Sequence, residues 1–569
     1  MNAFDAASKT VQAALQTGQV GQPVAARVTA HMDADHGQIE WLMTRVLSAM
    51  TTWFDSRPQR ITAFGSVEAG NVSTLTLFEN GQSALVSVGC CAATDPLLEL
   101  VVWGNHGILS WEHERGVQSD WQQESDLTDV EKSLCQQLQT SLRSGCSVLT
   151  SGSGSSPPAA DKSHRIRPDQ RHAGMAEPAE LTAQKPPYGV LLVSGDHTHQ
   201  AQYAVSLAND DRCRLIGLTD EPDLPPRRRR LNQQLAERLG IPLLPDLHDA
   251  IRRDDVHIVS VCAEPFRRAG IIVDAARAGK HLYLDKPLAA TLEEAEAIRK
   301  AVRESGVVSH MWSFSHTNTA DRLQRELRSD RLGDLRAFHA DLCFAKGPAG
   351  TAALENRRHE NPAPTRYELV ESKRELTNVG VYSLVSLLSS QNRSVRRVCA
   401  TTGNYFFGEH QTNDMEDFGQ MLLELDDGVV ATISAGRTGW QSNPGGGFDR
   451  TCLVGTRQTS VVDAHRPRVS VWADADPWVP PERDPEDPMG MWGGAPREDQ
   501  FIPQPRQTWI TPPEQTNRDA AWFLDCIETG RQSNISADIA AAATEILLAV
   551  YQSAASGKVV DLPLPRNPE

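Results

Sequence analysis

The sequence predicts an α/β protein built on a doubly wound parallel sheet, and three observations in the middle of the chain carry that prediction. Short apolar runs alternate with helical periods between Val190 and Leu284, Gly195 opens a turn directly after the first run, and Gly279-Lys-His-Leu-Tyr-Leu-Asp-Lys-Pro-Leu288 closes the series with a strand leading into Lys286. In order, Val190 to Val193 reads as an apolar strand, Gln200 to Asn209 as a helix, and Leu215 to Leu218 as the second strand, with Asp220 at its end. A helical stretch follows from Leu231 to Gly240, then a strand from Val256 to Cys262, a helix from Gly270 to Ala278 and the strand His281 to Leu284. Sheets of this kind bind dinucleotides in the crevice outside the carboxyl ends of their strands.

The chain has 569 residues, enough for two or three domains with separate cores, and its 40% hydrophobic and 23% charged content suits a globular protein. No run of 18 apolar residues occurs, so no membrane-spanning segment is expected. The first residues lack a basic region followed by an apolar core and do not read as a signal peptide. Ten cysteines are scattered without Cys-x-x-Cys spacing, and Cys90 and Cys91 are adjacent; this suits reduced thiols and a cytoplasmic location. A net charge of -17 argues against a nucleic-acid partner. The one basic block, Arg227 to Arg230, fits a solvated helix start, or alternatively a contact to a cofactor ribose phosphate.

Residues 147–187 are rich in Ser, Gly, Pro and Ala and read as a flexible linker. They divide an amino-terminal region, 1–146, from a dinucleotide-binding domain at 188–310 and a further domain at 311–569. Between Trp472 and Pro513 a long segment is crowded with Pro, Asp and Trp, where Trp478 and Trp492 suit sugar stacking and loop packing equally well.

A dinucleotide fingerprint uses glycines for the tight turn, for close approach to the pyrophosphate and for helix packing. Here the segment is Val193-Ser-Gly-Asp-His-Thr-His-Gln200, which keeps Gly195 and places His197 and Gln200 at the other two positions. The pyrophosphate is expected on the amino end of the helix, with His197, Thr198 or His199 donating hydrogen bonds. His197 and His199 make too small a set for a metal, and His248 and His257 have no zinc-site spacing, so no metal is expected. Asp220 stands where a carboxylate would accept the ribose hydroxyls of NAD and repel a 2′-phosphate, which favours NAD over NADP.

The order of these elements, with Asp285-Lys286-Pro287, Thr291-Leu-Glu-Glu-Ala295, Phe523-Leu-Asp-Cys-Ile-Glu-Thr-Gly530, Ser536-Ala-Asp538 and Tyr551-Gln-Ser-Ala-Ala-Ser-Gly557, resembles the glucose-fructose oxidoreductase/inositol dehydrogenase/MocA (Gfo/Idh/MocA) family over about residues 188–569. Its signature is Glu-Lys-Pro, so Asp285 is a departure by one methylene. The resemblance implies a Rossmann domain followed by an α+β domain with a large, mainly antiparallel sheet. It also implies NAD as cofactor and a sugar, cyclitol or related polyol as substrate, with hydride transfer at a CH–OH carbon. Lys286 would contact cofactor and substrate and support a developing alkoxide. The resemblance places Cys262 and Glu264 in the turn beside the nicotinamide ribose, where Glu264 would contact a ribose or cap the following helix, and has Asp285 support the lysine. Where many relatives have Asp-x-Gly-x-His-x-x-Asp, this chain has Asn378-Val-Gly-Val-Tyr-Ser-Leu-Val385, which implies Tyr382 as the acid/base, its phenol lowered by Lys286, or else as a helix residue packed on the sheet, and Asn378 toward substrate; His316, in Trp312-Ser-Phe-Ser-His316, sits where an arginine or asparagine often faces substrate. Two other functions fit the same residues: a non-catalytic carbohydrate-sensing or scaffold member, and an enzyme that uses tightly held NAD for transient oxidation in an elimination or epimerisation.

The amino-terminal region resembles the family's sheet domain. Arg60-Ile-Thr-Ala63 resembles Arg397-Val-Cys-Ala400, and Phe78-Glu-Asn-Gly81 followed by Ala84 and Gly89 matches Leu425-Asp-Asp-Gly428 followed by Ala431 and Gly436. Val101-Val-Trp-Gly104 pairs with Cys452-Leu-Val-Gly455, and Leu138 to Gly145 with Leu524 to Gly530. Residues 20–146 are thus expected to form a second, degenerate copy of the α+β sheet domain, lacking the tyrosine, with Trp41 and Trp53 in its core. The family's open sheet face would make a homo-oligomer contact unless the amino-terminal copy covers it.

Overall fold

A computed structural model describes residues 3–32, 36–90, 97–112, 127–150, 186–194, 198–313, 317–345, 350–356, 360, 374–390, 393–438, 447–466, 469–472, 507–510 and 518–566. The amino-terminal sheet holds β1 (Pro23–Met32), β2 (Pro58–Ser66), β3 (Asn71–Phe78), β4 (Ser83–Cys90), β5 (Leu97–Gly104), β6 (Gly107–Glu112) and β7 (Val148–Leu149). The parallel sheet holds β8 (Tyr188–Val193), β9 (Cys213–Thr219), β10 (Ile258–Val261), β11 (His281–Leu284) and β12 (Ser309–Met311). The third sheet holds β13 (Leu335–Ala345), β14 (Val395–Gly403), β15 (Phe418–Leu425), β16 (Val430–Thr438), β17 (Gly447–Gly455) and β18 (Thr459–Asp463), with β19 (Val469–Trp472) and β20 (Gln507–Ile510) paired apart and β21 (Val560–Asp561) closing the edge.

The parallel sheet runs β12-β11-β10-β8-β9, and its strands are almost wholly apolar because helices cover both faces. The expected strands fall where the apolar runs are, with ends shifted by a few residues. The helix Thr198–Ala208 starts two residues earlier than read, and Pro226–Leu239 and Pro265–Arg277 begin at prolines, whose fixed φ suits a first turn.

The two larger sheets agree strand for strand. The first runs β6-β5-β1-β4-β3-β2-β7 and the third β18-β17-β13-β16-β15-β14-β21. In each a single parallel pair, β1 with β4 and β13 with β16, sits among antiparallel neighbours. Irregularities recur at matching places: between Pro23 and Ala25 and between Leu335 and Ala337, then between Pro58 and Arg60 and between Val395 and Arg397. The turns at Gly81 (φ +81°) and Gly428 (φ +79°) demand the same left-handed glycine. One expected pairing is corrected: the helix Asp129–Ser144, ending at Gly145 before β7, matches Ala537–Ser556, ending at Gly557 before β21, and not the helix ending at Gly530. Both glycines cap a helix whose chain then returns to a sheet edge, and that topological role outweighs the local likeness. β7 also lies beyond residue 146, so the sheet domain runs into the stretch read as linker.

The two large sheets pack face to face. Val24, Ala25, Val101 and Trp103 cluster with Cys343, Phe406, Phe407 and Phe418, and Phe64, Leu75 and Leu85 with Cys399, Leu422 and Val430. The amino-terminal domain therefore covers the face left open in the expected fold. Trp41 and Trp53 are buried in its own core under the helix Gln38–Phe54. The helix Ala537–Ser556 is long and apolar enough to cross a membrane by composition; here it lies on the third sheet, with Ala540, Val550 and Tyr551 buried.

Candidate functional site

The end of β11 buries Asp285 and Lys286 beside a cluster of aromatic rings from His199, Tyr203, Trp312 and Tyr382. Asp285 is fully buried, and one oxygen, Oδ1, accepts three hydrogen bonds: from Tyr203 OH at 2.6 Å, from the Lys286 N–H at 2.9 Å and across the 2.9 Å contact with His199 Nδ1. Both rings come from the first turns of the helix Thr198–Ala208, so a carboxylate one methylene short of glutamate is met by side chains reaching down to it. Arg268 clamps the same segment from the next helix. It donates to Ala263 O at 2.7 Å, to Asp285 O at 2.7 Å and to Pro287 O. Its burial is complete, and carbonyls satisfy the guanidinium in place of water.

Lys286 is 2% exposed, and its Nζ donates to Asn378 O at 2.8 Å and to Asn378 Oδ1. Asn378 lies in a π-helical turn, Leu376–Gly380, a distortion that recurs at functional sites. The Thr377 N–H and hydroxyl both donate to Tyr551 OH, at 3.1 and 3.0 Å, which anchors the turn to the last long helix. Tyr382 follows on the helix Val381–Ser390, and Lys286 Nζ stands 5.2 Å from its ring centroid. The ammonium thus faces the ring. Burial, and then Asp285, push the phenol well above its usual value of 10 against the pull of Arg437. The expected lowering by Lys286 is corrected accordingly: the lysine meets the ring face, and desolvation of the phenolate dominates.

Trp312, at the end of β12, stands 5.3 Å from the His199 ring, 5.2 Å from Tyr203 and edge-on to Tyr382 at 5.8 Å. Trp312, Tyr203 and Arg268 thus belong to the site although no role was expected of them. Their sequence signal is faint, because an aromatic or a basic residue in a helix or strand reads as core or surface.

At the other edge of the parallel sheet Asp220 follows β9. Its Oδ1 accepts from the Glu221 N–H at 2.9 Å and from Arg228; its Oδ2 accepts from Arg228 Nε at 2.8 Å and Asn232 Nδ2 at 2.8 Å. The chain's own groups thus engage both oxygens of Asp220, with two hydrogen bonds on each. Arg228 also pairs with Glu264, which heads the helix Pro265–Arg277 without capping it. The basic block therefore splits: Arg229 and Arg230 are exposed, whereas Arg228 is 1% exposed and paired, neither solvated nor held for a phosphate. Cys262 is buried, its thiol pushed well above 9 by burial and then Asp285, and its N–H donates to Val193 O at 3.0 Å.

Gly195, His197 and His316 lie outside the described residues, as do the side chain of Thr198 and the indoles of Trp478 and Trp492. The Gln200 side chain, at the expected third glycine position, is fully buried and bonds Ser260 of β10, with Ser260 Oγ donating at 3.2 Å. The crevice suits a dinucleotide at its phosphate end, where the helix Thr198–Ala208 begins and Ser194 Oγ is buried without a partner among the described residues. Its ribose end is engaged by Arg228.

Two family models match the chain: "Oxidoreductase family, NAD-binding Rossmann fold" over residues 208–312 and "GFO/IDH/MocA C-terminal domain" over residues 321–461. Among curated proteins, the levoglucosan dehydrogenase of Pseudarthrobacter phenanthrenivorans is 38% identical over 74 residues, 13% of this chain and 19% of that protein. The dTDP-3,4-didehydro-2,6-dideoxy-alpha-D-glucose 3-reductase of Actinomadura kijaniata is 26% identical over 220 residues, 38% of this chain and 61% of that protein. The chain thus spans from about a fifth to about three fifths of these relatives' length. Among solved structures, GenD2 from gentamicin A biosynthesis, in complex with NAD, is 21% identical, with a TM-score of 0.49 over 69% of this chain and 99% of that one.

Proposed function

The chain belongs to the Gfo/Idh/MocA oxidoreductase family through residues 208–312 and 321–461, and from that membership we propose an NAD-dependent oxidoreductase acting on a sugar, cyclitol or related polyol by hydride transfer at a CH–OH carbon. The observation that carries this is Lys286, buried at the end of β11, donating to Asn378 O at 2.8 Å and lying 5.2 Å from the Tyr382 ring. When bound, the nicotinamide supplies the hydride acceptor or donor. Lys286 fixes the substrate oxygen and offsets charge that develops on it. Tyr382, held protonated by burial, donates its proton to a carbonyl oxygen in the reducing direction and recovers it in the reverse one. His199, joined to Asp285 at 2.9 Å, orients the phosphate end of the crevice. Asp285 and Arg268 keep the lysine segment in place and exclude water from beneath it.

One observation favours a second reading, a non-catalytic carbohydrate-sensing member: the ribose carboxylate Asp220 is already filled by Arg228 and Asn232. Titration of the purified chain with NAD and NADP, followed by protein fluorescence and by release of retained cofactor on denaturation, separates the two. Saturable NAD binding with turnover of any polyol supports the enzyme; binding of neither dinucleotide ends it.

A further inference from the structure

We propose that Glu375 is a positioning residue for Lys286, supplying through Asn378 a negative charge on the side of the ammonium where the amide itself carries none, opposite the chain neighbour Asp285. This rests on the role given to Lys286 above. Position 378 is an amide, so the ammonium of Lys286 meets a neutral partner on the π-helical turn. A carboxylate stands directly behind it. Glu375, 1% exposed, accepts the Asn378 Nδ2 hydrogen bond on Oε2 at 3.4 Å. That contact decides which way the amide faces: with its N–H committed to Glu375, its Oδ1 turns to Lys286 Nζ.

Glu375 is itself held from two other elements. Its Oε1 lies 3.3 Å from Arg437 Nε on β16 and 3.3 Å from His410 Nε2 on the short helix Gly408–Thr412. The other charged groups around it are engaged elsewhere. Arg374 pairs with Glu360 and with Glu416, at 3.6 Å for the latter, and Glu416 accepts from Tyr551 OH at 2.6 Å. Asp417 accepts the N–H groups of Tyr405, Phe406 and Phe407. Burying such a carboxylate is costly unless it is paired, and His410 and Arg437 meet that need; what packing does not require is its second oxygen's contact with the amide that holds the lysine.

Three variants test this: Glu375→Gln, Asn378→Asp and the two combined, each checked by thermal melting. Reductive methylation of Lys286, read by peptide mass spectrometry, reports the amine without any substrate. The pH profile of kcat with NAD and an active polyol reports it during turnover. E375Q is expected to raise the methylation rate several-fold at a fixed mildly alkaline pH, and to move the limb of the profile governed by the lysine to lower pH. Both follow because a lost negative charge disfavours the ammonium. The double variant, with a carboxylate beside Lys286 again, is expected to return both readouts toward the wild type. Unchanged methylation and profile in E375Q overturn the proposal, as does a double variant no closer to wild type than the single one. If E375Q does not fold, Glu375→Asp, which keeps the charge but draws it back from Asn378, decides: faster methylation supports the relay and an unchanged rate overturns it. If the wild type turns over no polyol, methylation still judges Glu375, and it is the functional reading that fails.

Discussion

In the third sheet domain Ser553 Oγ accepts the Ala400 N–H at 3.0 Å and donates to Lys558 O at 2.6 Å; in the amino-terminal one Ser141 Oγ accepts the Ala63 N–H at 3.0 Å and donates to Cys146 O at 2.7 Å. Both serines sit four residues before the glycine that ends the helix, and both tie that helix to the second strand of their sheet. The likeness stops at the site. Where the third domain has a π-helical turn carrying Asn378 and then Tyr382, the amino-terminal one has the regular helix Gln38–Phe54, with Trp41 buried in the core. Backbone geometry is shared where it closes a sheet, and side chains diverge where only one domain has a dinucleotide-binding neighbour.

Across the interface the pairing is nearly reciprocal. Arg397 donates to Gly145 O at 3.1 Å, Arg60 closes on Gly557, and Thr62 Oγ1 meets Cys399 Sγ at 3.3 Å, each on the matching strand of the other sheet. The charges break this symmetry. Glu99 and Arg450 hold the same place in β5 and β17 and bond each other at 2.5 Å, while Arg27 bonds Asp341 at 2.6 Å and lies 3.4 Å from Glu99. Burial works against the Arg27 charge, but Asp341 and Glu99 together hold it protonated. Two identical sheets could not supply both signs at one position, so the face is made for an unlike partner carried on the same chain.

The largest expected effect lies on the chemical side of the comparison. Lys286→Ala should cut turnover by about 10²–10³-fold with little change in melting temperature, whereas Trp41→Phe in the corresponding helix should leave kcat within about twofold; steady-state kinetics of both decide whether chemistry resides in one domain. Next, Arg27→Met leaves Asp341 buried without its cation, while Glu99 keeps Arg450, and should cost about 3–5 kcal/mol in urea unfolding. A second transition in that variant would mean that the two sheets no longer unfold together.

Acid probes the same interface. Burial lowers His31 to about 3 from 6.5, so the folded chain keeps it neutral while the unfolded chain takes up a proton below about 6.5. Its contribution is therefore complete above about pH 6.5 and is lost as pH falls toward about 3, at about 1.4 kcal/mol per pH unit. Urea midpoints measured between neutral pH and pH 4 should fall, and fall less in His31→Gln. The smallest effect compares the serines: Ser141→Ala and Ser553→Ala should each cost about 1–3 kcal/mol by stranding a buried N–H. A cost confined to one of them would show that the matching bonds do not do matching work.

The α/β core was legible because hydrophobic periodicity and the prolines and glycines that start and stop elements are local signals. Lys286 was legible too, from its place after an apolar strand. The hairpin glycines, Gly81 and Gly428, exposed the likeness of the two sheets because only glycine adopts that φ cheaply. The helix before β7 misled because many helices end in glycine, and only the returning edge strand tells one from another. Arg228 looked like a surface residue within a basic run, yet the packing of its helix brings it between Asp220 and Glu264. Glu375, His410 and Arg437 lie far apart in sequence and meet only once the sheet has formed.

By itself, then, the sequence determined the parallel sheet, the family resemblance at Lys286-Pro287 and the kinship of the two larger sheets, since these are written in spacings of a few residues. Tertiary structure alone decided that Asp220 is filled, that Lys286 faces the Tyr382 ring, and that one sheet covers the other with unlike charges, since each depends on side chains brought together from distant segments and on the cost of burying them.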